Sequence, residues 1–150
     1  MGDSLEDAKK LWLGVWQNAK GSLLRISDID IVKTGSPDNT DHYKVEGTYQ
    51  TAKGSVPSDK KFPMTGFVTR DQIVFSVSFR FPSADPPVSS ATSWTGQILP
   101  DDKDPTKEAL RTLWNLTRDI PEGDPEQEHG WALAIAGADI FNRTSTNPNA

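Results

Sequence analysis

Hydrophobicity along this chain alternates with a period of two, in short runs that turn residues separate. Successive side chains of a strand point to opposite faces, so such runs describe half-buried β-strands rather than helices. Eight runs are read: Leu11–Asn18, Leu23–Val32, His42–Thr51, Pro63–Thr69, Gln72–Phe81, Ala91–Leu99, Ala109–Thr117 and Trp131–Arg143. Within the second, Leu24, Ile26, Ile29 and Ile31 alternate with polar residues. The separators are rich in residues that favour turns: "AKGS", "TGSPDNTD", the pair "RD", the proline-rich "PSADPPVS", and the acidic "PDDKDPTKE" and "RDIPEGDPEQEHG".

Short strands joined by hairpins, without a helical segment of useful length, predict an all-β fold. The arrangement expected is an eight-stranded antiparallel up-and-down β-barrel, wide enough inside for side chains and one small ligand. A β-sandwich competes on pattern alone. A length of 150 residues suits one domain. Residues 1–10 show helical spacing only at Leu5, Ala8 and Trp12, and a frayed turn or an extended, flexible lead is expected there. The barrel domain is placed at residues 11–143, and "TSTNPNA" (144–150) is expected to be a disordered tail.

Composition removes several function classes. The net charge of −5 and the lack of a basic stripe argue against nucleic acid, which is bound through phosphate neutralisation. No apolar run approaches the roughly 20 residues of a membrane helix, so no membrane partner is expected. Without cysteine there is no disulfide, thiol nucleophile or thiolate metal site, and two histidines do not make a multi-histidine metal centre. Acidic residues cluster in loops, where they are solvated, and neither His42 nor His129 stands in a nucleophile context. No catalytic residue and no cofactor are therefore assigned. The start "MGDSLEDAKK" lacks the apolar core of a signal peptide. Secretion after removal of a leader is the expectation, and a cytoplasmic location is the alternative.

What remains points to a pocket. Trp16, Trp94 and Trp114 lie in strands with polar neighbours at fixed offsets, and Trp131 opens the last run. Singly, a strand tryptophan is core filler. Together with inward hydroxyls and amides, wide aromatic walls suit a flat, partly polar ligand. Tyr49 and Thr51 share one strand face, Ser90, Thr92 and Trp94 share another, and Asn18 and Ser22 bracket the first hairpin. In "GWALAIAGADIF" (Gly130–Phe141) the run carries one carboxylate, Asp139. A buried carboxylate is costly unless donors meet it.

Five segments, "WQNAKGS", "GTYQTAKGS", "SATSWTGQ", "LWNLT" and "GADIF", resemble in order and spacing the avidin/streptavidin family of biotin-binding proteins. The resemblance runs from about Leu13 to Arg143. It implies a barrel with biotin at its open end and assigns roles by position. Asn18, Ser22 and Tyr49 would donate to the ureido oxygen, while Asp139 and Thr51 would accept from the ureido N–H groups. Thr92 would face the ring sulfur. Ser90 and the backbone from Ala52 to Ser55 would meet the valerate carboxylate. Phe79, Trp94, Trp114 and Leu116 would wall the ring, and Trp131 would cover the site of a neighbouring subunit. Biotin is then a bound ligand and not a catalytic cofactor. The other partner implied is a second copy of the chain, with a homotetramer favoured and a dimer the alternative. A barrel carrier for another small, partly apolar ligand is the competing function, and an inward Asp139 discriminates against it.

Three departures from the family pattern carry expectations of their own. Phe79 stands where the best-known members have tryptophan, which makes one wall smaller and predicts lower affinity. The loop after Thr51 is long, contains Val56-Pro57 and lacks the cysteine with which dimeric members pin it. The outward positions Ala134, Ala136 and Ala138 are small where tetramers place at least one larger side chain.

Overall fold

In the computed structural model, which describes residues 4–32, 42–52, 60–81, 88–118 and 134–150, the alternating runs become a closed antiparallel barrel. The strands are β1 (Gly14–Asn18), β2 (Leu23–Ile31), β3 (His42–Gln50), β4 (Phe62–Thr69), β5 (Gln72–Phe81), β6 (Val88–Pro100), β7 (Glu108–Arg118) and β8 (Ala134–Ser145). Each pairs with its neighbour in sequence, and β8 returns to pair with β1. Closure leaves no unpaired sheet edge, and the sandwich alternative falls away. Strict alternation survives on β4 and β5, where Phe62, Met64, Val68, Ile73, Phe75, Val77 and Phe79 are buried and Pro63, Thr65, Phe67, Val74, Ser76 and Ser78 between them are exposed.

The second run holds apolar residues of both parities, and a register shift between Ile26 and Asp28 accounts for it. An irregularity there turns the strand by one residue, so Leu24 and Ile26 before it and Ile29 after it all face inward. Ile31, expected to continue that face, is instead exposed at the last position of β2.

The lead at residues 1–10 departs from expectation. An α-helix, α1, spans Leu5–Trp12, so the first run does not become strand until Gly14. Local chemistry favours it. Ser4 caps the first turn by accepting from the Asp7 N–H at 3.1 Å, Glu6 and Asp7 occupy that turn, and Lys9 and Lys10 the last. Tertiary contacts complete it. Ala8 and Trp12, four residues apart, are both buried against the closed end of the barrel. The Trp12 indole N–H donates to the Arg70 carbonyl at 2.8 Å. Arg143 of β8 donates to the carbonyls of Lys10, Leu11 and Leu13, groups that a helix end leaves without partners. Its guanidinium also lies 4.8 Å from the Trp16 ring centre. The chain leaves the helix through Gly14, whose φ of +136° and closeness to the Ser145 carbonyl exclude a side chain. At the other terminus β8 runs on to Ser145, into the segment read as tail.

Candidate functional site

The open end of the barrel is organised by a short hairpin between β1 and β2. The Asn18 side-chain oxygen accepts from the backbone N–H groups of Lys20 (3.1 Å) and Ser22 (2.9 Å). That leaves its amide nitrogen to donate into the barrel. It does so to the Asp139 carboxylate, at 2.6 Å. Closure of the sheet makes this possible: Asn18 pairs with Phe141, which places Asp139 two residues further up the neighbouring strand. The second carboxylate oxygen of Asp139 accepts from the Ile140 N–H at 3.1 Å. Its backbone carbonyl accepts from the buried Thr112 hydroxyl at 3.0 Å. The half-buried charge is thus met by donors, as charge burial requires.

Ser22 and Tyr49 stand beside this pair. The Ser22 hydroxyl oxygen accepts from the Ala52 N–H at 3.0 Å, and Ser22 also hydrogen-bonds the Tyr49 hydroxyl. Tyr49 is 4% exposed. Its phenol is pushed up to about 12, chiefly by burial and further by the Asp139 charge, while the Ser22 hydrogen bond works in the opposite direction. Tyr49 therefore stays neutral and keeps its proton available as a donor throughout the physiological range. Thr92 completes the polar set from β6. It is buried, and its hydroxyl has no hydrogen-bond partner among the described residues. A buried hydroxyl without a partner costs stability.

Aromatic rings surround these groups. Tyr49 lies 4.8 Å from Trp94 and 6.0 Å, edge-on, from Phe79; Phe79 in turn meets Phe62 at 5.1 Å. Trp94 stacks on Phe75 at 4.6 Å with the planes 10° apart. The strand register explains this belt. Gly66, Phe75, Trp94, Trp114 and Gly137 are successive cross-strand partners from β4 to β8, so three aromatic side chains stand in one lateral row with a glycine at each end.

The structure therefore brings together, at one end of the lumen, Asn18, Ser22, Tyr49, Phe79, Thr92, Trp94, Trp114 and Asp139. Trp114 is half-buried and packs against the core. Thr51, Ser90 and Leu116 are half-buried on the same three strands or just beyond them. Asn18, assigned as a donor to the ureido oxygen, also donates to Asp139 and accepts from the hairpin backbone. Ser55 and Trp131 lie outside the described residues.

A family model described as the avidin family matches residues 6–144. The chain belongs to the avidin family. Family members bind biotin in a β-barrel and are not enzymes, and the chain is accordingly a binding protein. No curated protein sequence matches it significantly. Among solved structures it is similar to apo shwanavidin, with a TM-score of 0.65 and 21% identity over 89% of this chain and 100% of the other. Xenavidin is similar with a TM-score of 0.59 and 27% identity, over 87% and 95% of the two chains. A rhizavidin–biotin complex is similar with a TM-score of 0.60 and 25% identity, over 89% and 92%.

Reading the avidin-family motifs alone misses some residues of the site. Thr112 supports Asp139 from below, and Phe75 backs Trp94. Both were within reach of the period-two rule, because Thr112 is two residues before Trp114 and Phe75 is four before Phe79 on the same strand face. Arg143, which ties α1 to the barrel, gives no such signal: an arginine at a strand end ordinarily points to solvent.

Proposed function

We propose that the open end of this barrel binds biotin tightly, with the ureido ring directed at the Asn18, Ser22, Tyr49 and Asp139 cluster. One observation carries the reading. Donors and an acceptor from β1, the β1–β2 turn, β3 and β8 converge in a lumen whose walls are largely apolar side chains. A urea presents one carbonyl oxygen and two N–H groups. Asn18, Ser22 and Tyr49 would donate to the oxygen, with Asp139 and Thr51 accepting from the nitrogens. A carboxylate facing those donors polarises the urea and makes the bonds charge-assisted, roughly twice as strong as neutral ones. Thr92, whose hydroxyl lacks a partner, would meet the ring sulfur. Phe79, Trp94, Trp114 and Leu116 would enclose the bicycle, and Ser90 and Ser55 would take the carboxylate end. Phe79 gives a smaller wall than tryptophan, so affinity below that of family members with tryptophan is expected.

The similar rhizavidin structure holds biotin, which supports this reading. A carrier of apolar metabolites has no use for an inward carboxylate held against an amide, and no feature of the lumen favours that alternative.

Assembly is part of the same proposal. The outer faces of β2 and β3 are charged: Asp28, Asp30, Lys44 and Glu46 are exposed, and the last two form an ion pair at 2.9 Å. The outer faces of β4, β5, β7 and β8 present Phe67, Val74, Leu113 and Ile140, exposed by 45, 44, 66 and 44%, along one groove. Apolar patches of this kind mark association surfaces. A homotetramer built on this face, with Trp131 covering a neighbour's site, is the arrangement favoured over a dimer.

Calorimetric titration with biotin tests the binding reading, and light scattering behind size exclusion tests the assembly. Absence of both binding heat and a thermal shift at excess biotin removes the proposal, since a ligand of the folded state must raise the melting temperature.

A further inference from the structure

We infer that Gly137 is a positioning residue: it sets how deeply the Trp114 indole lies against β8, and thereby the width of the slot in which a flat ring would sit. The inference rests on the biotin reading for its ligand. Its geometric basis does not.

A Cβ built at Gly137 would lie 2.6 Å from Trp114 Cζ2, 2.9 Å from Cε2 and 3.3 Å from Cη2. All three nearest atoms belong to one side chain, and that side chain is an aromatic wall of the site. The other tightly packed glycines differ. Cβ atoms at Gly14, Gly47, Gly66 and Gly96 would first meet backbone carbonyl oxygens, those of Ser145, Arg25, Val74 and Arg111. Those positions are kept free so that strands can approach one another. Gly137 is kept free so that a ring can lie down.

Its place in the barrel gives that ring consequences. Trp114 and Gly137 are direct cross-strand partners, as are Trp94 and Trp114. Three consecutive aromatic residues fill the lateral row from Phe75 to Trp114, and Gly137 is the next member. The row ends in a glycine on both sides, but at Gly66 the space is taken by backbone of Val74 and Phe75, whereas at Gly137 it is taken by the Trp114 ring. On β8, Asp139 is two residues further along the same face, so the surface that seats the indole also carries the carboxylate. A methyl group at position 137 would push the indole off β8, toward its other cross-strand neighbour Trp94. Gly137 carries no positive φ, so alanine introduces this contact without backbone strain.

The test uses the full chain in a double-mutant cycle: wild type, Gly137→Ala, Trp114→Leu and both together. Biotin affinity is measured by calorimetry and release rate by displacement. Gly137→Ala is expected to weaken biotin by about 10- to 100-fold in the wild-type background, and by less than about 3-fold where Trp114 is leucine. Near-UV circular dichroism without ligand should change on Gly137→Ala only when Trp114 is present. Unchanged affinity and spectrum in Gly137→Ala overturn the inference, and so does an equal loss in both backgrounds. If Gly137→Ala alone does not fold, folding of the double variant supports the inference and its failure to fold overturns it. Should wild type not bind biotin, the functional reading falls and the spectroscopic cycle alone decides on Gly137.

Discussion

At the closed end of the barrel, Trp12 and Trp16 are wholly buried, and each indole N–H donates to a backbone carbonyl, Trp12 to Arg70 and Trp16 to Trp12 itself. At the open end Thr92 is nearly as buried, yet its hydroxyl has no partner among the described residues. The same strands build both ends. Below, side chains fill the lumen and satisfy one another. Above, they leave polar groups directed at shared space, and Asn18 and Asp139 bridge it at 2.6 Å. The difference teaches what each half is for. A filled, satisfied end contributes folding free energy. An end with an orphan hydroxyl and a half-buried carboxylate forgoes some of that stability, and a ligand that completes the hydrogen bonds would recover it.

This contrast can be broken most forcefully from below. Trp12→Ala should lower the unfolding free energy by about 3–5 kcal/mol, as for loss of a large core aromatic. Biotin affinity of the folded protein should stay within about 2-fold, because α1 is held by Arg70 and Arg143 rather than by the residues of the polar cluster. Urea unfolding beside calorimetry checks both halves of that statement.

Alkaline titration probes the open end through Tyr49. Tyr49 has a folded-state pKa of about 12, above its ordinary 10. A raised pKa means that its contribution is fully present below pH 10 and is lost as pH rises through 12. The loss should reach about 2–3 kcal/mol over that window. Unfolding midpoints measured from pH 9 to 12 should show this limb in wild type, and Tyr49→Phe should flatten it.

From above, Asp139→Ala should weaken biotin by about 1.5–3 kcal/mol, the range for a hydrogen bond to a charged group. Stability without ligand should change by less than about 1 kcal/mol, since Asp139 is only half-buried. That is the inverse of the Trp12 result. The smallest effect sharpens the comparison furthest. Thr92→Val keeps the volume and removes the orphan hydroxyl, so unliganded stability should rise by about 1 kcal/mol while biotin binding weakens. A fall in unliganded stability, read by thermal unfolding, would mean that the hydroxyl is satisfied and that the two ends are built alike.

Much of this was legible before any coordinates. Alternation named the strands, because a pleated strand buries every second residue whatever its partner. The five family-like segments named most of the polar cluster, since "WQNAKGS" and "GADIF" put Asn18, Ser22 and Asp139 on inward faces. What escaped depends on contacts between distant residues. The helix Leu5–Trp12 is too short to be stable on its own. It exists because Trp12 reaches Arg70 and Arg143 holds its last carbonyls. Ile31 follows the apolar pattern and still ends up exposed, beyond an irregularity the pattern does not announce.

The order of residues alone determined that this chain makes short, one-sided strands, and that one face of them carries an amide, hydroxyls and a carboxylate. Period-two patterning and turn chemistry are local, so no folded partner is needed to read them. Only the closed barrel decided which of those groups meet. Pairing of β1 with β8 sets Asn18 against Asp139, 121 residues away in sequence. Pairing of β7 with β8 lays Trp114 across Gly137. Register is a property of two strands together, and a shift by one residue would turn every inward group outward.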